Sequence, residues 1–454
     1  MPRARRYRSR RLSPLYLLFV AVLAGCGASS GTNGQLGPSA TVVAAPPARL
    51  AGSAWERISL PAPRDQMDGF AAAPRDPSTL FACTTSPRPF ALWRSTDAGA
   101  HWTGFVPLDT RGTDCAVSIA PDDPRRVTLQ VSQFAPGEPL CGQDAFSLST
   151  DGGASWRQLP QHALAASAPA ASVAAGWCEL QVTAHHLFVL SSFVPAPGAA
   201  QISLLARSDD DGATWTRADE GVSEVGGNAL YSMPQIGPGE RLAMAVLQLP
   251  ATPTPTAPSV AALWTSSDAG RTWTRGATLP AGAGTFLWSA PPQPASTWPN
   301  AGHPFYALQQ EQIPSDLYRE GVLASGDGQG WDALPPLPVP RTDGAHRGIL
   351  QALAALPDGR LAVWGVDPGA GVPAEGRVVV VRGFWLWLWD PVQTQWQRVA
   401  APLDVTADEG CGLCWQGQAA SSADGAQVLY VSDQFDTDIY GMPGAGVWRI
   451  RVPP

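Results

Sequence analysis

Cysteine, histidine and acidic residues that could carry redox, metal or acid–base chemistry occur in only a few short clusters of this 454-residue chain. Cys411 and Cys414 form a C-x-x-C pair, which could be a redox pair but lacks a strand-to-helix setting. No second C-x-x-C and no histidine pair at ligand spacing accompanies it, which argues against zinc. His185 and His186 fall in a predicted apolar strand, where adjacent side chains face opposite sides and do not chelate together. We therefore expect no metal and no cofactor.

The N-terminus predicts export. Six arginines between Arg3 and Arg11 precede an apolar run from Leu12 to Ala24, which is too short to span a bilayer as a helix. The run ends in Leu-Ala-Gly-Cys26, which resembles the bacterial lipoprotein cleavage box. That resemblance implies a leader at 1–25, lipidation of the Cys26 thiol and anchoring in a membrane; an ordinary secretory peptide is the alternative. Residues 26–52 are rich in Gly, Ala, Ser, Thr and Pro and predict a flexible tether.

Composition limits the fold and the partners of the remaining segment, 53–454. Gly (46), Pro (45) and Trp (18) are abundant, and only 15% of the residues are charged, which favours many short strands joined by turns. The chain contains no lysine. Without the leader, 24 arginines face 38 acidic residues, a net charge of −14. A field of this sign repels phosphate backbones, so we expect no nucleic-acid partner.

One eight-residue pattern recurs four times without gaps. Its shared residues are a Ser, an Asp two positions later, a Gly two further and a Trp three further. They are Ser95, Asp97, Gly99 and Trp102; Ser149, Asp151, Gly153 and Trp156; Ser208, Asp210, Gly212 and Trp215; Ser266, Asp268, Gly270 and Trp273. Asp and Ser accept hydrogen bonds from turn amides, Gly supplies positive φ, and Trp leads the outgoing strand and packs between sheets. We interpret all sixteen as structural, including Asp210 within the run Asp209–Asp211.

This pattern is similar to the Asp-box (BNR) repeat, S-x-D-x-G-x-T-W. The resemblance covers nearly all of 53–454 and implies a β-propeller, with each box between the third and fourth strands of a blade. Weaker copies end at Trp331 and Trp396, and Trp55 begins a fourth strand without its box. The seven tryptophans lie 47 to 65 residues apart, which is one blade each. Gly446–Ile450 matches a third strand without its box. We therefore predict an all-β, seven-bladed propeller closed by pairing of the N- and C-terminal strands in one blade.

The predicted strand order places the longer loops and six cysteines on the face opposite the boxes. These loops are 250–258, 313–320, 366–375 and 434–445, and aromatic residues in or near them are Trp298, Tyr306, Tyr318 and Tyr440. An even number of cysteines in an exported protein indicates disulfides, with fifteen possible connectivities. We predict Cys83–Cys115 and Cys141–Cys178 between adjacent blades, and Cys411–Cys414 within one loop.

The resemblance concerns the repeat and not an active site. Asp-box propellers include sialidases, xyloglucan-active glycosidases, sortilin-type receptors and photosystem II assembly factors. A sialidase should carry an Arg-Ile-Pro element before its first box, but here Ser59 and Leu60 interrupt Arg57-Ile58 and Pro61. No motif singles out three converging arginines or a catalytic pair, so we name no catalytic residue. We expect an extracytoplasmic binding or scaffold module, anchored through its lipidated cysteine to the cell membrane or to an outer membrane, with a protein or glycan ligand at the loop face. The alternative is a sialidase-like exo-glycoside hydrolase, whose carboxylates would sit on distant blades.

Overall fold

Short apolar strands between Gly, Pro and Asp turns build the whole fold. A computed structural model describes residues 55–60, 67–84, 91–105, 114–132, 144–160, 174–194, 202–222, 229–248, 260–279, 287–289, 305–313, 317–326, 328–335, 349–356, 360–366, 379–391, 394–398, 403–407, 415–422, 425–433 and 446–452. The predicted leader, Cys26 and the tether lie outside the described residues. No helix in the described ranges is long and apolar enough to cross a membrane.

The described strands form seven antiparallel sheets arranged as a β-propeller, so the predicted fold class is confirmed. Along the main path of each blade, four strands follow one another outward from the axis in chain order. Two further short strands, Gln235–Ile236 and Leu403–Ala407, pair with the strands Leu242–Gln248 and Val379–Asp390 beside this path. Blade 7 departs from the chain order, because its outer strand is the first of the chain, β1 (Glu56–Ile58).

Blades 1 to 3 each contain four described strands. Blade 1 contains β2 (Met67–Ala73), β3 (Asp76–Thr84), β4 (Ala91–Ser95) and β5 (Thr103–Phe105). Blade 2 contains β6 (Asp114–Ile119), β7 (Val127–Ser132), β8 (Ala145–Ser149) and β9 (Arg157–Gln158). Blade 3 contains β10 (Ala174–Val182), β11 (Leu187–Val194), β12 (Ile202–Ser208) and β13 (Thr216–Arg217).

Blades 4 and 6 add a short strand to the pattern. Blade 4 contains β14 (Ala229–Tyr231), β15 (Gln235–Ile236), a 3-10 turn (Pro238–Glu240), β16 (Leu242–Gln248), β17 (Val260–Ser266) and β18 (Thr274–Thr278). Blade 5 contains β19 (Leu287–Ser289), β20 (Phe305–Ile313), β21 (Leu317–Ser325) and β22 (Asp332–Ala333). Blade 6 contains β23 (Ile349–Ala355), β24 (Leu361–Val366), β25 (Val379–Asp390), β26 (Gln395–Arg398) and β27 (Leu403–Ala407). Blade 7 contains β28 (Trp415–Ser421), β29 (Gln427–Asp433) and β30 (Gly446–Val452) with β1.

Position within a blade sets burial. In blade 2 every residue of the third strand β8 is buried, whereas both residues of the outer strand β9 are exposed. Each sheet packs against a neighbour on both faces, so its middle strands are apolar on both faces instead of alternating. The core therefore consists of inter-blade layers; between blades 7 and 1, for example, Tyr430 and Val447 pack with Phe70 and Leu80.

Strand β1 closes the ring by pairing with β30, as the sequence predicted. Glu56 lies opposite Arg449 and Ile58 opposite Val447 in this antiparallel pair. The guanidinium of Arg449 donates from Nε and Nη2 to the two Glu56 oxygens over 3.0 and 2.9 Å, and from Nη1 to the carbonyl of Ala98 in blade 1 over 2.7 Å. The N-terminal strand thus joins blade 7, and through Arg449 it holds blade 1.

Candidate functional site

The four repeated hairpins lie where the sequence placed them, between third and fourth strands, and they share one set of contacts. In blade 3, Ser208 Oγ donates to Asp210 Oδ1 over 2.8 Å and accepts the amide of Gly212 over 2.7 Å. Asp210 accepts the amide and the hydroxyl of Thr214 over 2.8 and 2.6 Å. The same three residues make the equivalent Ser–Asp and Ser–Gly contacts in the other hairpins, at Ser95, Asp97 and Gly99; Ser149, Asp151 and Gly153; Ser266, Asp268 and Gly270. These polar groups are therefore satisfied inside the turn.

Hydrogen bonds within the turn also keep the hairpin carboxylates ionised. The hydroxyl of Thr214 first, and its amide second, lower the pKa of Asp210 to about 2. Ser155 acts in the same order on Asp151, whose pKa is also lowered to about 2. A carboxylate that stays charged and accepts several turn hydrogen bonds stabilises the hairpin.

The glycine and the tryptophan of a hairpin both meet the preceding blade. Gly99 has φ +88°, and a Cβ there would lie 2.4 Å from Ile58 Cγ2 of blade 7. Trp102 Nε1 donates to the carbonyl of Ser59, just after β1, over 2.8 Å. Trp273 makes the equivalent bond to the carbonyl of Ala218 after β13, over 2.6 Å. Trp156 and Trp215 also pack at inter-blade clusters. The repeated residues therefore hold neighbouring blades together.

One predicted disulfide is confirmed. Cys83 in β3 and Cys115 in β6 are bonded, join blades 1 and 2, and are almost fully buried. Cys178 in β10 is also disulfide-bonded. Cys141, its predicted partner, lies outside the described residues, as do Cys411 and Cys414.

The turns between first and second strands lie on the same face of the propeller as the repeated hairpins. One of these turns corrects the predicted position of His185 and His186. His185 and His186 lie in the turn between β10 and β11, not within a strand, because Thr183 Oγ1 accepts both of their amides and ends β10. His186 Nδ1 lies 2.7 Å from Glu240 Oε2 of blade 4, without hydrogen-bond geometry. Among the described residues, no group of three or more His, Cys, Asp or Glu side chains could hold a metal ion.

An open groove of about 460 Å³ lies at the outer rim between blades 3 and 4. Its lining residues come from the end of blade 3 and the outer half of blade 4: Glu220, Gly221, Trp264, Arg271, Thr272, Trp273, Thr274 and Arg275. Both indole rings belong to the inter-blade core, and the Trp273 ring is also fixed by its bond to Ala218. The groove thus has core-packed indole rings at its base and exposed charged and hydroxyl side chains at its edges.

The other hairpins show which groove residues the fold does not require. At the position of Arg271 they carry Ala100, Ala154 and Ala213, although the backbone hydrogen bond is the same where it is recorded, from Ala100, Ala213 and Arg271 to the Asp carbonyl three residues earlier. At the position of Trp264 they carry Trp93, Ser147 and Ala206, and at that of Arg275 they carry Gly104, Gln158 and Arg217. Each large residue recurs at most once elsewhere, and only in blade 4 do all three occur together. The hairpin conformation therefore does not require these three side chains.

Charges around the groove are unevenly neutralised. Arg271 is 54% exposed and reaches Asp209 only at 3.4 Å, while Asp209 is also paired with Arg207 at 2.6 Å. Arg275 is exposed and makes no ion pair with a described carboxylate. Glu220 is the single acidic residue of the lining, so the groove itself does not present the two carboxylates that glycoside hydrolysis requires.

A second unusual group, Glu179, lies on β10, the innermost strand of blade 3. Glu179 is paired with Leu190 of the core, and its Oε2 is buried without a hydrogen-bond partner among the described residues, although the residue as a whole is partly exposed. Burial raises the pKa of Glu179 to about 7, against a smaller lowering by the hydrogen bond with Gln181. A carboxyl that keeps its proton near neutral pH has the property of a general acid.

The sequence placed binding on the loop face. Loops 250–258 and 434–445, most of 366–375, Trp298 and Tyr440 lie outside the described residues. The predicted insertion 313–320 is instead largely the β20–β21 hairpin, and Tyr306 is fully buried within β20. The sequence analysis missed the groove; its signal was the large side chains that break the repeat in blade 4.

Comparison with known proteins supports the fold alone. No protein-family model and no curated protein matches this chain. A solved oligogalacturonate lyase in complex with manganese is 12% identical, with a TM-score of 0.53 over 88% of this chain and 93% of that chain. A GH74 xyloglucanase from Xanthomonas campestris is 18% identical (TM-score 0.45; 87% of this chain, 55% of that), and a prolyl endopeptidase 9% (0.46; 81% and 46%). The chain therefore spans about half the length of the last two.

Proposed function

We propose that this chain is an extracytoplasmic binding module: an Asp-box β-propeller, lipid-anchored through Cys26, that holds a glycan ligand in the groove between blades 3 and 4. The groove carries this proposal. It gathers two exposed arginines, Arg271 and Arg275, beside the core-packed ring of Trp264, and no other complete hairpin carries an arginine at both positions.

The contacts of the hairpins support the Asp-box assignment. Ser, Asp and Gly make the same hydrogen bonds in all four complete copies, which is what a repeat under a common structural constraint should do. Gly328 in the shorter fifth copy still donates its amide to Ser325 Oγ over 2.9 Å.

The cellular address is supported by the sequence and by one covalent bond. The buried Cys83–Cys115 disulfide fits an oxidising compartment, where such bonds persist. Together with the basic leader and the box ending at Cys26, it favours the outer surface of a bacterial membrane.

Binding is tested with two matched tryptophan variants. Trp264→Leu alters the groove, whereas Trp93→Leu removes the equivalent ring of blade 1, which packs over Gly104 instead of lining the groove. We expect the full-length, detergent-solubilised protein to bind members of an oligosaccharide array that includes neutral and acidic sugars. Trp264→Leu should lose this binding although its melting transition stays intact, and Trp93→Leu should keep it; melting is measured on both variants because Trp264 also packs in the inter-blade core. Equal binding by both variants would contradict the assignment of the groove.

Glu179 favours a second candidate, a sialidase-like exo-glycoside hydrolase, because a protonated carboxyl can supply the general acid. We nevertheless expect no hydrolysis of fluorogenic sialosides or glucans, since the sequence carries no recognisable sialidase motif and the Arg-Ile-Pro element is interrupted at Ser59 and Leu60. Turnover that disappears in Glu179→Gln would establish the hydrolase instead.

A further inference from the structure

We propose that the groove between blades 3 and 4 selects sugars that carry carboxylates, of the uronic-acid class. This inference rests on the proposed function and specifies its ligand. The chemistry comes from two arginines and two indole rings of one hairpin, β17–β18 of blade 4, which packs against the end of blade 3 at Glu220 and Gly221.

The charge of the groove is opposite to that of the protein. The chain carries a net charge of −8, yet the groove lining contains Arg271 and Arg275 against one acid, Glu220. Glu220 also interacts with the nearby Arg217, which is paired with Asp219 at 2.6 Å. A local cationic site on an acidic surface attracts anions that the rest of the surface repels.

Both arginines keep donors available for a ligand. Only one ion-pair contact of Arg271 is recorded, at 3.4 Å from Nη2, and Arg275 has none with a described carboxylate. The planar guanidinium group matches a carboxylate with two parallel hydrogen bonds, which gives orientation as well as attraction.

The half-buried ring of Trp273 indicates that the carboxylate belongs to a sugar. Arg275 follows Trp273 by two residues and lies opposite Trp264 in the β17–β18 register, while the Trp264 ring is only 7% exposed and packs in the core. The exposed part of the Trp273 ring can pack against the C–H face of a sugar while an arginine binds its carboxylate. Exposed Thr274 adds a hydroxyl for the polar edge of the ring. Because the groove is open along the rim, an oligosaccharide can lie across it with both ends in solvent.

The internal repeat provides variants that should fold. Arg271→Ala installs the residue of the other three hairpins, and Arg275→Gln installs the residue of blade 2, Gln158. Arg125→Ala is the charge control, because Arg125 is 75% exposed on the turn between β6 and β7 and lies outside the groove lining.

The test measures binding of trigalacturonate, its fully methyl-esterified form and neutral cellotriose to the full-length protein in detergent. We expect trigalacturonate to bind. The ester lacks the carboxylate charge and should bind about tenfold or more weakly, a difference of about 1.4 kcal/mol. Arg271→Ala and Arg275→Gln should each weaken trigalacturonate binding about tenfold, and Arg125→Ala should leave it unchanged. Added salt should weaken binding by the wild type, because exposed charges are screened.

The outcomes separate this inference from the proposed function. If the ester or cellotriose binds as tightly as trigalacturonate and the arginine variants bind normally, the acidic class is wrong. In that case, loss of neutral binding in Trp264→Leu would leave the groove as a sugar site. If an oligoglutamate peptide binds the groove and trigalacturonate does not, the ligand is a protein and the sugar class is wrong. If no probe binds, the acidic class is wrong; if the oligosaccharide array shows no binding either, the proposed function is wrong as well.

Discussion

Replacing Glu56 with Ala should destabilise the closure of the propeller, because it removes the ion pair with Arg449. Glu56 belongs to the three-residue strand β1, which completes blade 7, and its carboxylate receives two hydrogen bonds from Arg449. The Arg449 side chain is only 4% exposed and that of Glu56 18%. The substitution therefore leaves a buried guanidinium without its counter-ion, although the carbonyl of Ala98 still accepts one of its N–H groups.

The expected loss of unfolding free energy is about 3 kcal/mol, the lower end of about 3–5 kcal/mol for breaking a buried pair, because Glu56 is partly solvated and one hydrogen bond survives. Asp122→Ala is the matched control. It also breaks an arginine–carboxylate pair, here between blades 1 and 2, with Arg75 at 2.7 Å, but that arginine is 52% exposed. Exposed pairs contribute about 0–1 kcal/mol, so this variant should unfold almost like the wild type.

Urea unfolding followed by tryptophan fluorescence measures the difference, with Trp102 as a reporter next to β1. The double variant Glu56→Ala, Arg449→Met should recover part of the loss, because no unpaired charge then stays buried. If Glu56→Ala were no less stable than Asp122→Ala, burial of the closing pair would not be what holds the ring.

Three further predictions follow from the pKa values and from the N-terminus. Because hydrogen bonds lower the native pKa of Asp210 to about 2, its contribution is present above about pH 4 and is lost as the pH falls towards 2. The melting temperature of Asp210→Ala should therefore fall less steeply between about pH 4 and about pH 2 than that of the wild type. An unchanged slope would contradict this role of the Asp210 carboxylate. Because burial raises the native pKa of Glu179 to about 7, its native proton stabilises the fold below about pH 4.5, and this stabilisation is lost as the pH rises through 7. Glu179→Gln should remove that decline in melting temperature. Cys26→Ser should release the protein from membranes and abolish lipid labelling, and unchanged partitioning would refute lipidation.

The fold was predictable because the hairpin demands particular residue types. Positive φ at Gly99 and the hydrogen bonds of Asp97 and Ser95 leave few alternatives, so the pattern repeats visibly in the sequence. Ring closure was predictable because Trp55 begins a fourth strand without the hairpin before it, and the C-terminal strand is a third strand without the hairpin after it. The groove was not predictable from the sequence, since Glu220 and Trp264 approach one another only after the blades pack. His185 was misplaced because the hydroxyl of Thr183, and not hydrophobicity, ends the strand before it.

Packing against blade 5 gives the groove between blades 3 and 4 a fixed wall. The strand β18 is longer than the outer strand of any other blade among the described residues, and a bulge interrupts its pairing with β17 just after Arg275. At that bulge Ala277 donates its amide to the carbonyl of Gly328 over 2.6 Å, and a Cβ on Gly276 would lie 2.4 Å from the same oxygen. The backbone that carries Arg275 is thus held from behind by the hairpin of the next blade. Under the proposed function, a ligand would meet a strand that is already in position, and less conformational entropy would be lost on binding than on a free loop. The contact between blades 4 and 5 thus fixes the backbone on which the proposed arginine site depends.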